Sequence, residues 1–202
     1  MDYQLLQGYL DKSAELLRRN YVAYYPQGGG SDPNEQDITT AFACALASEQ
    51  YCIYTEVPPM GGRKKGADEA IDLLALPEGR SFVMIVESKN VESSKQRSQV
   101  ANDLDKIKKF RPAKLRPEDR PFPGKAVRVI LAMGWTSKQE CENPFERTSY
   151  KKWYDKLVVT YPNLKPLKSL IRSDMNSDAK HGGKYACQWL MALVDEITLA
   201  EE

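Results

Sequence analysis

The sequence predicts a single α/β domain spanning residues 1–202, with a mixed four-stranded sheet between helical layers. Three observations carry that expectation. Apolar spacing changes along the chain from helical to strand-like and back, giving the order α-α-β-β-β-α-β-α-α. The second to fourth strand segments are apolar on both faces, as strands are when helices cover both sides of a sheet. A chain of 202 residues, 42% hydrophobic and 28% charged, is long enough to bury a substantial core and too ordinary for a fibrous or disordered protein.

The elements follow in order. Residues 4–20 place Leu5, Leu6, Tyr9, Leu10, Leu16 and Leu17 at helical spacing, with Lys12, Arg18 and Arg19 on the other side. Gln27-Gly28-Gly29-Gly30-Ser31 breaks that helix. Ser31 or Asp32 can cap a second helix with Pro33 in its first turn, running from about 34 to 47 with Ile38, Phe42, Ala45 and Leu46 on one face. Residues 51–57 are aromatic and β-branched and end at Pro58-Pro59. A basic, glycine-flanked loop holding Arg63, Lys64 and Lys65 leads into the strand 69–76, and a turn at 77–80 leads into the strand 82–89. A connection so short favours antiparallel pairing of these two. Residues 96–110 carry Val100, Leu104 and Ile107 at i, i+4, i+7 and read as a helix. Four prolines punctuate the following loop. A fourth strand covers 126–133 and a further helix 145–158. Residues 160–183 read as irregular, and 185–199 as a last helix with the stripe Trp189, Leu190, Leu193, Val194 and Ile197.

Composition excludes several classes of function. Lys plus Arg number 29 against 28 Asp plus Glu, so a polyanionic partner has to be argued from local clusters. No run approaches the ~18 apolar residues of a membrane span, and no secretory signal is visible, so a cytoplasmic location and no membrane partner are expected. Four cysteines without a C-x-x-C pair, together with one histidine, argue against structural zinc and for free thiols. Gly28-Gly29-Gly30 lacks the following Gly-Lys-Ser/Thr of a phosphate loop. The segment at 174–178 lacks the glycine and closing glutamate of a calcium loop.

The third strand carries the chemistry. Side chains alternate along a strand, so Val83 and Ile85 share a face with Glu87 and Lys89. A strand buried on both faces thus ends in a carboxylate beside an ammonium. Asp72 is the only charge between Ala70 and Leu76 on the neighbouring strand, and a small offset or bulge would set it opposite Glu87. Two converging carboxylates need a counter-charge, which a divalent cation supplies. Mg²⁺ takes one or two carboxylates with waters and phosphate oxygens. A neighbouring Lys89 can orient a water or help deprotonate it, and can stabilise charge developing on phosphorus.

Ile71-Asp72 followed by Glu87-Ser88-Lys89, with a helix before and a helix after, resembles the PD-(D/E)XK nuclease superfamily. The resemblance covers about residues 33–134 and implies a restriction-endonuclease-like αβββαβ core. An N-terminal helix at 4–20 and a C-terminal helical extension at 143–202 would be additions to it. Ile71 stands where the family has its name-giving proline, a residue that does no chemistry. The resemblance implies a Mg²⁺-dependent nuclease, with Mn²⁺ as substitute, hydrolysing phosphodiester bonds, with DNA rather than RNA as the expected substrate. It further implies Asp72, Glu87 and the Ser88 carbonyl as metal ligands and Lys89 as the catalytic lysine. Glu35 would add a ligand from the preceding helix, with Glu56 as its substitute, and Gln99 would join the site from the following helix, with Gln96 as second choice. Double-strand cleavage would imply a homodimer. The competing reading is a catalytically inactive nuclease-fold subunit that binds nucleic acid or a protein partner in a bacterial or phage defence or repair complex.

Local charge fits a nucleic-acid partner. Between residues 89 and 128, twelve Lys and Arg stand against five Asp and Glu. Arg63, Lys64, Lys65, Lys95 and Arg97 are the phosphate-binding candidates, although the loop 61–66 also reads as a solvated hairpin tip. Tyr150-Lys151-Lys152-Trp153-Tyr154 reads either as a base-stacking stripe or as helix core with snorkelling lysines.

Overall fold

A computed structural model describes residues 2–24, 34–57, 70–79, 81–110, 124–136, 143–146, 148–173 and 187–198. Among these the order is α1 (Tyr3–Tyr24), α2 (Glu35–Ala47), β1 (Cys52–Val57), β2 (Ile71–Leu76), β3 (Val83–Asn90), α3 (Ser94–Lys109), β4 (Lys125–Thr136), α4 (Ser149–Thr160), β5 (Lys165–Ser173) and β6 (Cys187–Thr198). The strands form one mixed sheet in the order β1-β2-β3-β4-β6-β5. Only β3 and β4 are parallel neighbours, and α3 is their crossover, as a parallel connection requires. The remaining pairs are antiparallel.

The sheet therefore has six strands, where the sequence predicts four. The expected helical extension over 143–202 is one helix, α4, followed by two strands. Residues 187–195 are buried without a break, because β6 lies between β4 and β5 with side chains entering both layers. An apolar run of that kind does not alternate, so its spacing resembles a helix stripe. The segment read as irregular contains β5, an edge strand with a register shift between Leu170 and Arg172.

Helices α1 and α2 cover one face of the sheet. Leu6, Leu10, Leu17, Ile38, Phe42 and Leu46 pack there on Leu73, Met84, Val86, Val129 and Leu131. Helices α3 and α4 cover the other, with Val100, Leu104, Ile107, Trp153 and Leu157 against Leu74, Ile85, Ile130, Trp189 and Leu193. Burying each large aliphatic side chain contributes roughly 1.5–3 kcal/mol. Leu5, expected on the apolar side of α1, is exposed. The aromatic stripe of α4 is core: Tyr150 and Trp153 are buried while Lys151 and Lys152 face water.

Helix α2 is capped by Asn34, and the expected caps Ser31 and Asp32 lie outside the described residues. The Asn34 side chain accepts the Asp37 N–H at 3.0 Å and Asp37 accepts the Asn34 N–H at 2.9 Å, a reciprocal capping box. Cys44 and Cys52 are free thiols, as expected, but Cys187 is disulfide-bonded. Cys141, the glycine run at 28–30 and the loop holding Arg63, Lys64 and Lys65 lie outside the described residues. No helix among the described residues is long and apolar enough to cross a membrane.

Candidate functional site at the end of strand β3

Strand pairing creates the site by stopping early on one side. The β2–β3 ladder ends at Leu73 opposite Val86, whereas β3 stays paired with β4 to Asn90 opposite Met133. The N–H groups of Ser88 and Asn90 thus lose their strand partners on the β2 side, and buried N–H groups need acceptors. Two carboxylates serve. Asp72 Oδ2 accepts from Ser88 N–H at 2.7 Å, and Glu35 Oε1 accepts from Asn90 N–H at 3.1 Å. Continuing the β2–β3 register by one residue sets Asp72 directly across from Glu87, so no bulge or offset is required. Directly opposed residues share a face, here the one covered by α3. The Ser88 carbonyl points to the same edge of β3 as the Ser88 N–H, toward Asp72. The Ser88 hydroxyl lies on the other face and pairs with Thr39 Oγ1 of α2 at 2.7 Å.

A cavity of about 420 Å³ opens over this gap. Its walls are Asp72 and Ala70 from the β2 side, Glu87 and Lys89 from β3, Glu56 from β1, and Gln99, Asn102, Asp103 and Lys106 from α3. Asp72, Glu87, Lys89 and Gln99, all expected from the sequence, thus meet around one space. Glu35 touches the group from behind, its Oε2 standing 3.8 Å from Lys89 Nζ. Glu56 is exposed and has φ of 52°, a left-handed conformation that costs a glutamate strain.

Three residues of α3 are not singled out by the sequence. Asp103 Oδ2 lies 3.8 Å from Lys89 Nζ, Lys106 Nζ lies 2.7 Å from Glu87 Oε1, and Asn102 lines the wall between them. A signal for two of them is present. Gln99, Asp103 and Lys106 fall at i, i+4, i+7, one position before the apolar stripe Val100, Leu104 and Ile107, so they flank the buried face.

Gln96 caps α3 and takes no part in the cavity. Its Oε1 accepts the Ser93 N–H at 2.9 Å in the capping box of that helix. Lys95 is exposed at the start of α3. Arg97 is engaged by the fold. It donates to the carbonyls of Val91 and Glu92 at 2.8 and 2.9 Å, and its guanidinium stacks 5.4 Å from the Tyr150 ring centroid.

The electrostatics follow from the burial. Glu87 is only 2% exposed. Burial, then the facing Asp72, push its pKa up to about 7, against the pull of Lys106. Burial likewise raises Asp103, although Lys89 and Lys106 oppose it. For Lys89, burial acts downward, but the carboxylates of Asp103, Glu35, Glu87 and Asp72 together outweigh it and the net direction is up. Lys89 accordingly stays an ammonium. As an ammonium it can donate to a water or a phosphate oxygen.

Among the described residues, Glu87 Oε1 and Asp103 Oδ2 are buried and accept no well-aligned hydrogen bond, though Lys106 and Lys89 face them. Lys106 Nζ stands against Glu87 Oε1 at 2.7 Å as an ion pair. Buried carboxylate oxygens facing a polar cavity suit a cation, and Lys106 already stands against Glu87. Among the described residues, no three Asp, Glu, His or Cys side chains stand as a ready metal cage. A second cavity, of about 300 Å³, lies at the start of β3 and β4 beside Ser81, Phe82, Lys125 and Glu196, far along the strands from these acids.

No known protein family, curated protein or solved structure matches this chain.

Proposed function

We propose that the chain is a Mg²⁺-dependent nuclease that hydrolyses phosphodiester bonds of DNA in the PD-(D/E)XK manner on a restriction-endonuclease-like core. One observation carries the reading: Asp72 and Glu87 face each other across the open end of the β2–β3 pair, with Lys89 on the same face of the same cavity. The order α2-β1-β2-β3-α3-β4 around them supports it.

Asp72, Glu87 and the Ser88 carbonyl would hold the ion. A bound magnesium ion supplies Lewis acidity, neutralising phosphate charge and making water a better nucleophile at neutral pH. Asp72 also holds the end of β3 in place through the Ser88 N–H. Lys89, kept charged by the carboxylates around it, orients the attacking water and stabilises negative charge as it grows on the phosphoryl oxygens. Glu35 and Asp103 position that ammonium from its two sides. Gln99 and Asn102 offer amide groups to the substrate from the cavity wall.

The expected result is that Asp72→Ala or Lys89→Ala abolishes magnesium-dependent cleavage of plasmid and single-stranded DNA, with circular dichroism unchanged. Cleavage at the parent rate by either purified variant would refute the assignment.

A second reading has one observation in its favour. Lys106 already supplies a counter-charge to Glu87, as it would in a nuclease-fold subunit that binds nucleic acid or a protein partner without cutting. DNA binding without cleavage by the parent chain in magnesium and manganese would select it.

A further inference from the structure

Lys106 occupies the point where the charge problem of the site is most severe. Its Nζ lies 2.7 Å from Glu87 Oε1 and donates to the Ala70 carbonyl at 2.7 Å. Ala70 immediately precedes β2 and Glu87 is near the end of β3, so the ammonium bridges the gap in which Asp72 and Glu87 face each other. Two carboxylates in such a place repel each other and require a positive charge between them. Lys106 supplies it from the chain itself. Its ion pair with Glu87 is the contact that offsets the charge on Oε1. The Lys106 side chain is 24% exposed on a flexible four-carbon stem, which gives the ammonium a path toward water.

We propose that Lys106 is the resident cation of this site, holding Glu87 until a divalent ion displaces it. The proposal rests on the metal-binding reading above. Mg²⁺ bonds oxygen at ~2.0–2.1 Å, so it and an ammonium in close contact with the same carboxylate oxygen compete. Lys106 keeps the paired acids folded in the absence of metal and weakens metal binding by the same interaction.

The test is a thermal melt with and without magnesium, together with calorimetric titration of magnesium alone. Lys106→Met keeps the stem and removes the charge. In chelator it should melt below the parent, because Glu87 loses its counter-charge. Added magnesium should raise its Tm by more than it raises the parent's, and the dissociation constant for magnesium should fall about tenfold, a coupling within the usual range for contacting charges. Lys106→Arg should respond as the parent does. Should Lys106→Met not fold, Lys106→Gln retains a donor for Ala70 and serves the same comparison. Equal magnesium responses in the parent and the uncharged variant, with the response lost in Asp72→Asn, would overturn the role of Lys106 and leave the metal site standing. No magnesium response in the parent chain would overturn the metal site and the displacement with it.

Discussion

Glu87 loses its water to the sheet and to α3 and faces a second carboxylate, so its proton is harder to remove in the folded chain than in the unfolded one. Its pKa rises from an ordinary 4.5 to about 7. The sign of the stability effect follows. The contribution of this group is fully present below pH ~4.5 and is lost as pH rises toward 7, because the folded state then carries a buried charge. Metal-free Glu87→Gln should melt close to the parent at pH 4.5 and above it at pH 8. The gap should be of the order of 3 kcal/mol, at ~1.36 kcal/mol for each unit by which the carboxyl is displaced. A gap that is the same at both pH values would show that Glu87 does not titrate as described. At this scale Asp72, Glu87 and Lys89 are legible in the sequence because a charge in an apolar strand is conspicuous, whereas Gln99, a neutral residue, is expected only through the family resemblance. The roles of Asp103 and Lys106 are not. They look like two members of an ordinary solvated helix face until the approach of α3 to β3 turns them inward.

The elements that cover the sheet depend on close backbone approach at one glycine. A Cβ at Gly134 in β4 would fall within the Tyr150 hydroxyl, with the ring Cζ at 2.7 Å. Tyr150 is buried on α4, and its hydroxyl accepts the Trp135 N–H at 2.9 Å, so the ring cannot step aside without losing that bond. Gly134→Ala should destabilise the chain by ~1–3 kcal/mol through overpacking. Urea unfolding of that variant measures the cost, and Gly134→Ala combined with Tyr150→Phe should recover part of it by freeing the ring. Helices α2 and α3, the antiparallel β2–β3 pair and β4 lie within a few residues of their sequence-derived bounds, because each has a period, a cap or a turn that marks it. β6 misleads for a physical reason. A strand buried on both faces over nine residues has no alternation for a sequence pattern to reveal. β5 misleads for the opposite reason: at the sheet edge most of its residues are half-buried or exposed and its register slips.

Across the whole molecule, the C-terminal strand is tied to the centre of the sheet by a pair that no local pattern announces. Arg128 of β4 and Asp195 of β6 stand opposite each other, 67 residues apart in the chain, and form a buried ion pair. Arg128 also donates to the Leu104 carbonyl of α3 at 3.2 Å and lies 5.5 Å from the Tyr161 ring centroid, so it joins sheet, α3 and the end of α4. Among the described residues, Arg128 Nε and Asp195 Oδ1 have no hydrogen-bond partner, so the pair's desolvation is only partly offset. Arg128→Met alone should cost about 3–5 kcal/mol by stranding Asp195, whereas Arg128→Met with Asp195→Leu should lie near the parent. Denaturant titrations of the two single variants and the double would decide it. A double variant as unstable as the worse single one would mean that the pair is indispensable for more than its charge.

Local pattern is enough to set the α/β class, the helices and strands from α1 to β4, and the identity of the acids and lysine on β2 and β3, because burial periodicity and turn chemistry are properties of neighbouring residues. Long-range packing alone makes the sheet six strands wide, sets Asp72 against Glu87 with no offset, and brings Asp103 and Lys106 of α3 to the same cavity. Those outcomes depend on which strand ends unpaired and which helix face lies over the gap, and contacts between segments distant in sequence set both.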